Sequence, residues 1–440
     1  MAIELPSAEQ ANSLLRRILI PAFVLTLVYL LILSVGLVGT GFKWASGGQD
    51  GARQLFAFAT NPLMGLILGI LATALVQSSS TVTSVIVGLV AGGLDVHTAI
   101  PMIMGANIGT TVTNTLVSLG HITRPQEFRR AFAAATVHDM FNFLAVAIFL
   151  TLELLTSLFS ASGQGLLQMI SGPIAQTFAG SADVDVKNLN FIGNLTKPMI
   201  AILHDKSGTG LLDGMDPISG GISMVLLALI MIFASITLLG KTLKKNLTGR
   251  AERIFHAAIG RGPISGITSG TIVTILVQSS STTTSLIIPM AGSGVMKLEQ
   301  ILPFTLGANI GTTITALIAS LSGGDYAEAA LQIALVHLFF NVFATVLIYG
   351  IPPLRAIPLN GATWLADIAI RKRTLAIAYV VVLYFLLPLG MLLIAQLFTT
   401  DKTPEAGASN PTSYSRIETQ VHLRPHLLSR LDRQKGELPC

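Results

Sequence analysis

The chain is short of charge: Asp, Glu, Lys and Arg make up 11% of its 440 residues, against about a quarter in soluble domains. Apolar residues reach 51% and the mean hydropathy is +0.70, which together describe a membrane chain and make a soluble enzyme a poor reading. Cysteine is nearly absent. The single Cys440 allows no intramolecular disulfide and no cysteine metal site, so the fold must stand on packing. The formal net charge is +5, yet the basic residues gather at the ends of apolar segments and beyond residue 401. That is the bias of cytoplasmic loops rather than of a nucleic-acid surface.

What is present is a series of apolar stretches at 18–40, 63–92, 99–119, 131–158, 222–240, 264–291, 299–321, 329–351 and 374–398, each approaching or exceeding the span of a bilayer core. Arg16 and Arg17 precede the first, as in a signal peptide. Its length and the lack of a small-residue cleavage site favour a retained helix.

The sequence repeats itself. "LVQSSST" occurs at 75–81 and 276–282, "GANIGTT" at 105–111 and 307–313, and "ATVHDMFNFLA" from Ala135 is echoed by "ALVHLFFNVFA" from Ala334. Three motifs in one order make a duplicated unit of roughly 130 residues. Charge orients the copies. Arg16 and Arg17 stand before the first helix, whereas Lys241, Lys244, Lys245, Arg250 and Arg253 follow the helix leading into the second copy. Arg124, Arg129 and Arg130 fall inside copy one, and the matching "LSGGDYAEAA" has no positive residue. The copies are therefore expected to run in opposite directions.

The expected architecture is an all-α integral membrane protein with an inverted-topology repeat and two re-entrant QSSST helical hairpins. It divides into a cytoplasmic N-terminus at 1–17, repeat one at 18–158, an extracellular linker at 159–221, repeat two at 222–351, C-terminal membrane segments at 352–398 and a disordered cytoplasmic tail at 399–440. The linker is expected to carry short amphipathic pieces, and its "NLT" at 194–196 fits a glycosylation acceptor or a chance triplet. Treating each QSSST region as a hairpin leaves seven crossings, which conflicts with a basic cytoplasmic tail. Either one segment is mis-scored or a further crossing lies near 352–370.

Five consecutive polar residues cover every side of a helix, so the QSSST runs cannot be hidden from lipid as one serine can by bonding back to its own backbone. They read as helix breaks, which survive at depth only inside protein or around a polar cavity. About 14 apolar residues precede Gln77 and about 10 follow Thr81, too few to span alone. Half-helices starting at such breaks aim amide N–H groups and hydroxyls at a small anion, the layout of inverted-repeat secondary transporters. The candidate anion ligands are Ser78, Ser79, Ser80, Ser279, Ser280 and Ser281.

Neither the QSSST nor the GANIGTT segments contain Lys or Arg, so a buried anion needs an accompanying cation. Gln77, Thr81, Asn107, Thr110, Gln278, Thr282, Asn309, Thr312 and Thr313 supply neutral oxygens suited to sodium, and Asp139, an intramembrane acid facing Leu338 in the repeat register, is a candidate for a cation site in one copy only. GANIGTT serves equally as interhelical packing. His138 and His337 are read as packing residues with an amide or backbone partner rather than as a relay or metal site.

These residues carry a resemblance. Paired QSSST and GANIGTT motifs with "EFRRAFAAATVHDMFN" after the first pair are similar to the type II sodium/phosphate cotransporters, over about residues 18–398. The resemblance implies secondary active uptake of inorganic phosphate driven by sodium, with the QSSS segments at the substrate site and both ends cytoplasmic. It implies no enzyme, no cofactor beyond sodium as coupling ion, no transition metal and no nucleic acid; a homodimer is compatible with it. The short, cysteine-free linker departs from the vertebrate members and points to a bacterial inner membrane. Electrogenic members have an aspartate before the FRRAF stretch where this chain reads "GHITRPQ" from Gly120 to Gln126, so electroneutral transport is expected. A passive anion channel, a carrier of sulfate or a small carboxylate, and an intramembrane hydrolase are the alternatives. The last lacks a nucleophile elbow or a nearby base.

Overall fold

The computed structural model describes residues 8–180, 191–205, 207–258, 261–322 and 326–400. The sequence readings placed on the 401–440 tail, Cys440, part of "LSGGDYAEAA", and the side chains of Arg16, Arg17, Asn194, Lys244, Arg250 and Arg253 lie outside the described residues. No strand occurs among the described residues, and six helices are long and apolar enough to cross a membrane.

Helix α1 (Ala8–Ser46) packs along α10 (Pro217–Ala258), the most extensive helix pair in the molecule. A short α2 (Gln49–Leu55) leads to α3 (Pro62–Val76), which begins as its sequence demands: Asn61 accepts from the Leu63 amide at 2.9 Å and Pro62 takes the first helical position. Then come α4 (Ser79–Ala91), α5 (Val96–Gly109), α6 (Val112–Leu119) and the 35-residue α7 (Pro125–Phe159). The stretch 99–119, uniform in hydropathy, is thus not one helix: it breaks at Thr110–Thr111, where the Thr111 hydroxyl turns back to the Ile108 carbonyl at 2.8 Å. The segment is therefore not among the six long apolar helices.

The linker holds α8 (Leu166–Gly180) and α9 (Phe191–Leu203). Its described loop is pinned by Asp213, which binds His204 Nδ1 at 2.5 Å, the Asp205 amide and the Gly210 amide. Burial opposes ionisation of this carboxyl, but these three donors outweigh it and hold Asp213 below the usual carboxylate range.

The second copy supplies α11 (Pro263–Val277), α12 (Ser280–Ser285), α13 (Ile287–Gly292), α14 (Leu298–Ser320) and α15 (Ala327–Ala344), which continues into a π-helical turn at Thr345–Tyr349. After it α16 (Pro352–Arg371) occupies the segment where a further crossing was left open. Its 20 residues reach about 30 Å at 1.5 Å per residue, although it is not among the six apolar helices. Helix α17 (Arg373–Val381), a π segment at Val382–Leu386 and α18 (Leu387–Thr400) complete the described chain. Residues from Ile394 onward form a separate unit, of which only the end of α18 is described.

Within each copy the first QSSST arm is fused to the GANIG helix through glycine. A Cβ on Gly69 would strike the Met102 carbonyl and one on Gly105 the Leu66 carbonyl; Gly270 and Gly307 stand in the same relation to the carbonyls of Phe304 and Ile267. The spacing is small-xxx-small on both partners, Gly65 and Gly69 against Gly105 and Gly109, which lets two backbones touch where lipid offers no hydrophobic drive to associate. The second arms cross over. Helix α4 packs on α14 and α15 of copy two, while α12 and α13 pack on α6 and α7 of copy one. One buried apolar cluster therefore runs through both copies.

Candidate functional site

Both QSSST motifs are helix stop and start signals, built alike. Gln77 (φ 57°) and Gln278 (φ 54°) take the left-handed conformation, and they alone among the described non-glycine residues do so. For a residue with a Cβ this costs of order 1–3 kcal/mol, and such outliers persist where surroundings enforce them. The Gln backbone N–H closes the preceding helix on Thr73 at 2.8 Å or Thr274 at 2.7 Å. The side-chain amide donates to the carbonyl three residues back, Ala74 in copy one and Ile275 in copy two. Its oxygen accepts from a threonine on the GANIGTT side, Thr113 at 2.8 Å for Gln77 and Thr315 at 3.1 Å for Gln278. The next residue starts the new helix: Ser78 Oγ accepts from the Thr81 amide and Ser279 Oγ from the Thr282 amide, both at 3.2 Å.

This accounting divides the motif. Gln77, Ser78 and Thr81, with Gln278, Ser279 and Thr282, build the break, since the two threonine hydroxyls also meet Ser78 at 2.9 Å and Ser279 at 3.0 Å. Ser79, Ser80 and Ser280 are buried and Ser281 half-buried, and their hydroxyls make no protein hydrogen bond among the described residues. Four hydroxyls are left for something else.

The remaining candidates separate as well. Thr110 and Thr312 bond back to the carbonyls of Ala106 and Ala308, both at 2.9 Å, and Thr313 to Ile310 at 2.7 Å. Asn309 sits at the seam between the copies, where its Oδ1 lies 2.6 Å from His138 Nε2 and its Nδ2 donates to Asn142 Oδ1 at 2.9 Å. Asn142 in turn donates to the Asn107 carbonyl at 2.9 Å, and Asn107 to Ile103. His138 is thus held by an amide, as expected. A second tie across the seam joins Asn114 Oδ1 to the hydroxyls of Thr284 and Ser285 at 2.9 and 3.2 Å. No hydrogen bond among the described residues links either Gln to Asn107, Asn309, Thr110 or Thr312.

Asp139 stands apart from both breaks. It is fully buried; Tyr379 donates to its Oδ2 at 2.8 Å, its Oδ1 has no hydrogen-bond partner, and no ion pair reaches it among the described residues. Beside it Thr111 and Tyr384 share a hydrogen bond of 2.7 Å, Tyr384 being carried by the π segment. Copy two has a row of unmatched polar atoms along α15 and into the π turn, His337 Nδ1, Asn341 Oδ1 and Thr345 Oγ1 at four-residue spacing, and His138 Nδ1 of copy one is unmatched like its equivalent in His337. The hydroxyls of Thr73 and Thr274, equivalent in the two copies, are likewise buried without a partner.

Sequence reasoning passed over Asn142, Asn114, Thr111, Tyr379 and Tyr384. Asn142 lay inside the echoed Val-His, Phe-Asn motif and could have been found there; the two tyrosines come from helices 240 or more residues downstream of Asp139 and Thr111, which no local pattern announces.

A family model described as Na+/Pi-cotransporter matches residues 30–171 and 230–350. The chain belongs to the Na+/Pi-cotransporter family. Among curated relatives, the sodium-dependent phosphate transport protein 2B of Pongo abelii is 33% identical over 450 residues, covering 83% of this chain and 64% of its own length. The 2A proteins of Ovis aries and Mus musculus are 34% and 35% identical over 424 and 426 residues, each covering 83% of this chain and 66% of its own length. The chain thus spans slightly less than two thirds of the length of these cotransporters. No solved structure matches it. The matched segments take in both QSSST breaks and both GANIGTT helices, and the family is one of transporters rather than enzymes.

Proposed function

We propose that this chain is a sodium-coupled symporter that imports inorganic phosphate across a bacterial inner membrane, moving no net charge. In this reading α3–α4 and α11–α13 are re-entrant hairpins of an inverted repeat, entering from opposite sides, and the anion rests at mid-bilayer against Ser79, Ser80, Ser280 and Ser281, with Ser78 and Ser279 contributing as they cap the helices. The observation that carries the reading is the pair of left-handed glutamine breaks, each followed by two buried or half-buried serines whose hydroxyls have no protein partner among the described residues. Strain held twice at equivalent positions supports a site rather than an accident. The relatives' names supply the ions.

Sodium follows from electrostatics. A phosphate among neutral donors has no countercharge within the QSSST or GANIGTT segments, and uncompensated burial of such a charge is prohibitive. Oxygens of Gln77, Thr81, Asn107, Thr110, Gln278, Thr282, Asn309, Thr312 and Thr313 can turn toward a cation at the cost of the protein bonds described above. Asp139, buried without an ion pair among the described residues, is suited to a second cation position lined by Thr111 and the tyrosines. The electroneutral assignment rests on the segment from Gly120 to Gln126, which offers His121 and Arg124 but no aspartate.

The test is phosphate uptake into proteoliposomes under an imposed sodium gradient, with and without a clamped voltage. Uptake should require sodium, accumulate phosphate uphill, ignore voltage, and be inhibited by arsenate but not by sulfate or succinate. Ser79→Ala and Ser280→Ala should each abolish uptake at normal expression. Equal uptake in choline or potassium buffer replaces the symporter with a channel, and normal phosphate affinity in both serine variants removes the site.

A further inference from the structure

A cavity of about 610 Å³ lies between the α3–α4 hairpin and α10. Its hairpin wall includes Ala72, Val85 and Leu89, and its α10 wall Leu229 and Phe233. The one hydroxyl-bearing residue that lines it, Thr81, spends its hydroxyl on Ser78. Nothing in such a lining holds water by hydrogen bonds, and apolar cavities of this kind stay dry.

Position says what replaces the water. Leu229 and Phe233 sit at the middle of the candidate span Pro217–Leu243, and the neighbouring α10 surface is apolar and open, with Ile230 68% and Phe233 52% exposed. The mouth therefore faces the hydrocarbon of a bilayer, far from either aqueous phase. Along the roughly 12 Å of α4 from Thr81 to Leu89, the volume leaves a cross-section of about 50 Å². A flexible alkyl chain fits a slot of that width, and the mouth opens where such chains are the solvent.

We propose that an acyl chain of a surrounding lipid occupies this groove, wedged between the first hairpin and α10, with its end against Val76, Thr81 and Val82 at the QSSST break. The lipid is then a component of the hairpin's packing. Displacing the hairpin along α10 reshapes the slot and must expel or draw in the chain. The inference needs no particular transported ion.

The test uses tryptophan fluorescence in the full chain reconstituted into lipids with brominated acyl chains, which quench only on contact. Trp44 and Trp364, the two native tryptophans, are replaced by Phe, and a reporter is placed in the groove (Leu229→Trp) or on the open face of α10 (Leu226→Trp). The groove reporter should be quenched at least half as strongly as the open one. Filling the slot from the hairpin side by Ala72→Phe, or by Val85→Phe should the first variant not elute as a single species, should lower quenching of the groove reporter twofold or more and leave the open reporter unchanged. The proposal is overturned by a groove reporter silent to bromine while Leu226→Trp is quenched, by insensitivity to both filling variants, by quenching from aqueous iodide instead, or by shielding that coincides with a cross-linked second copy.

Discussion

The two copies share one construction and differ in what surrounds it. Each has a left-handed glutamine, a serine cap and a glycine seam to its GANIG helix. Copy one breaks its GANIGTT helix at Thr110–Thr111 and keeps α4 whole; copy two keeps α14 whole and breaks its second arm at Leu286. Gln77 is exposed, whereas Gln278 is 8% exposed. Asp139 and Asn114 of copy one correspond to Leu338 and Ala316. The hydroxyl breaks thus come in pairs, whereas the acid Asp139 and the amide Asn114 belong to copy one alone. The shared parts are those that the helix breaks and seams demand.

The comparison breaks most sharply at Asp139. Asp139→Asn should cut sodium-driven uptake tenfold or more and flatten its dependence on sodium concentration, while Leu338→Asn leaves both nearly intact; an unchanged sodium curve in Asp139→Asn would falsify the one-sided cation assignment. The glycine seams test the shared half. Gly105→Val and Gly307→Val each drive a side chain into a backbone carbonyl that no rotamer escapes, and each should cost about 1–3 kcal/mol or more, read as loss of a monodisperse peak in detergent on heating. Tolerance of either would show that its seam can open.

Smaller effects sharpen the picture. Asn114→Ala removes the acceptor shared by Ser285 and Thr284, the latter keeping the Ser280 carbonyl at 2.7 Å, and should cost about 0.5–1.5 kcal/mol, whereas the polar insertion Ala316→Asn in copy two gains no equivalent partner. Thermal unfolding of the single variants and of Asn114→Ala with Thr284→Val, where the pair is removed together, measures the coupling. Gln77→Gly and Gln278→Gly relieve the left-handed strain but forfeit the side-chain bonds. Because the Gln77 side chain is exposed at the protein surface, its variant should be neutral within about 0.5 kcal/mol, and the buried Gln278 should lose about 1 kcal/mol. Equal losses would mean that exposure does not distinguish the tips.

Much of this was legible in the chain itself. The membrane class, the duplication and the two breaks follow from hydropathy and from polar runs too long to hide on one helix face. Of the two readings of GANIGTT, the structure displays the packing one: its glycines pack against α3 and α11, and Asn309 bonds across the seam to His138 and Asn142. What local pattern could not convey was the internal division of QSSST into capping residues and free hydroxyls, since both uses call for the same side chains. The break at Thr110–Thr111 was invisible because its neighbours are as apolar as those of the unbroken α14. Tyr379 and Tyr384 were missed because a helix bundle pairs residues by packing order, and sequence distance carries no trace of it.

The glycine seams constrain how anything here can travel. With the carbonyls of Leu66 and Met102 pressed into the notches of Gly105 and Gly69, α3 and α5 are meshed like gear teeth and cannot slip by a residue without collision. Any displacement of α3 along its own axis must haul α5 with it, so the smallest body able to move is the meshed pair and never α3 by itself.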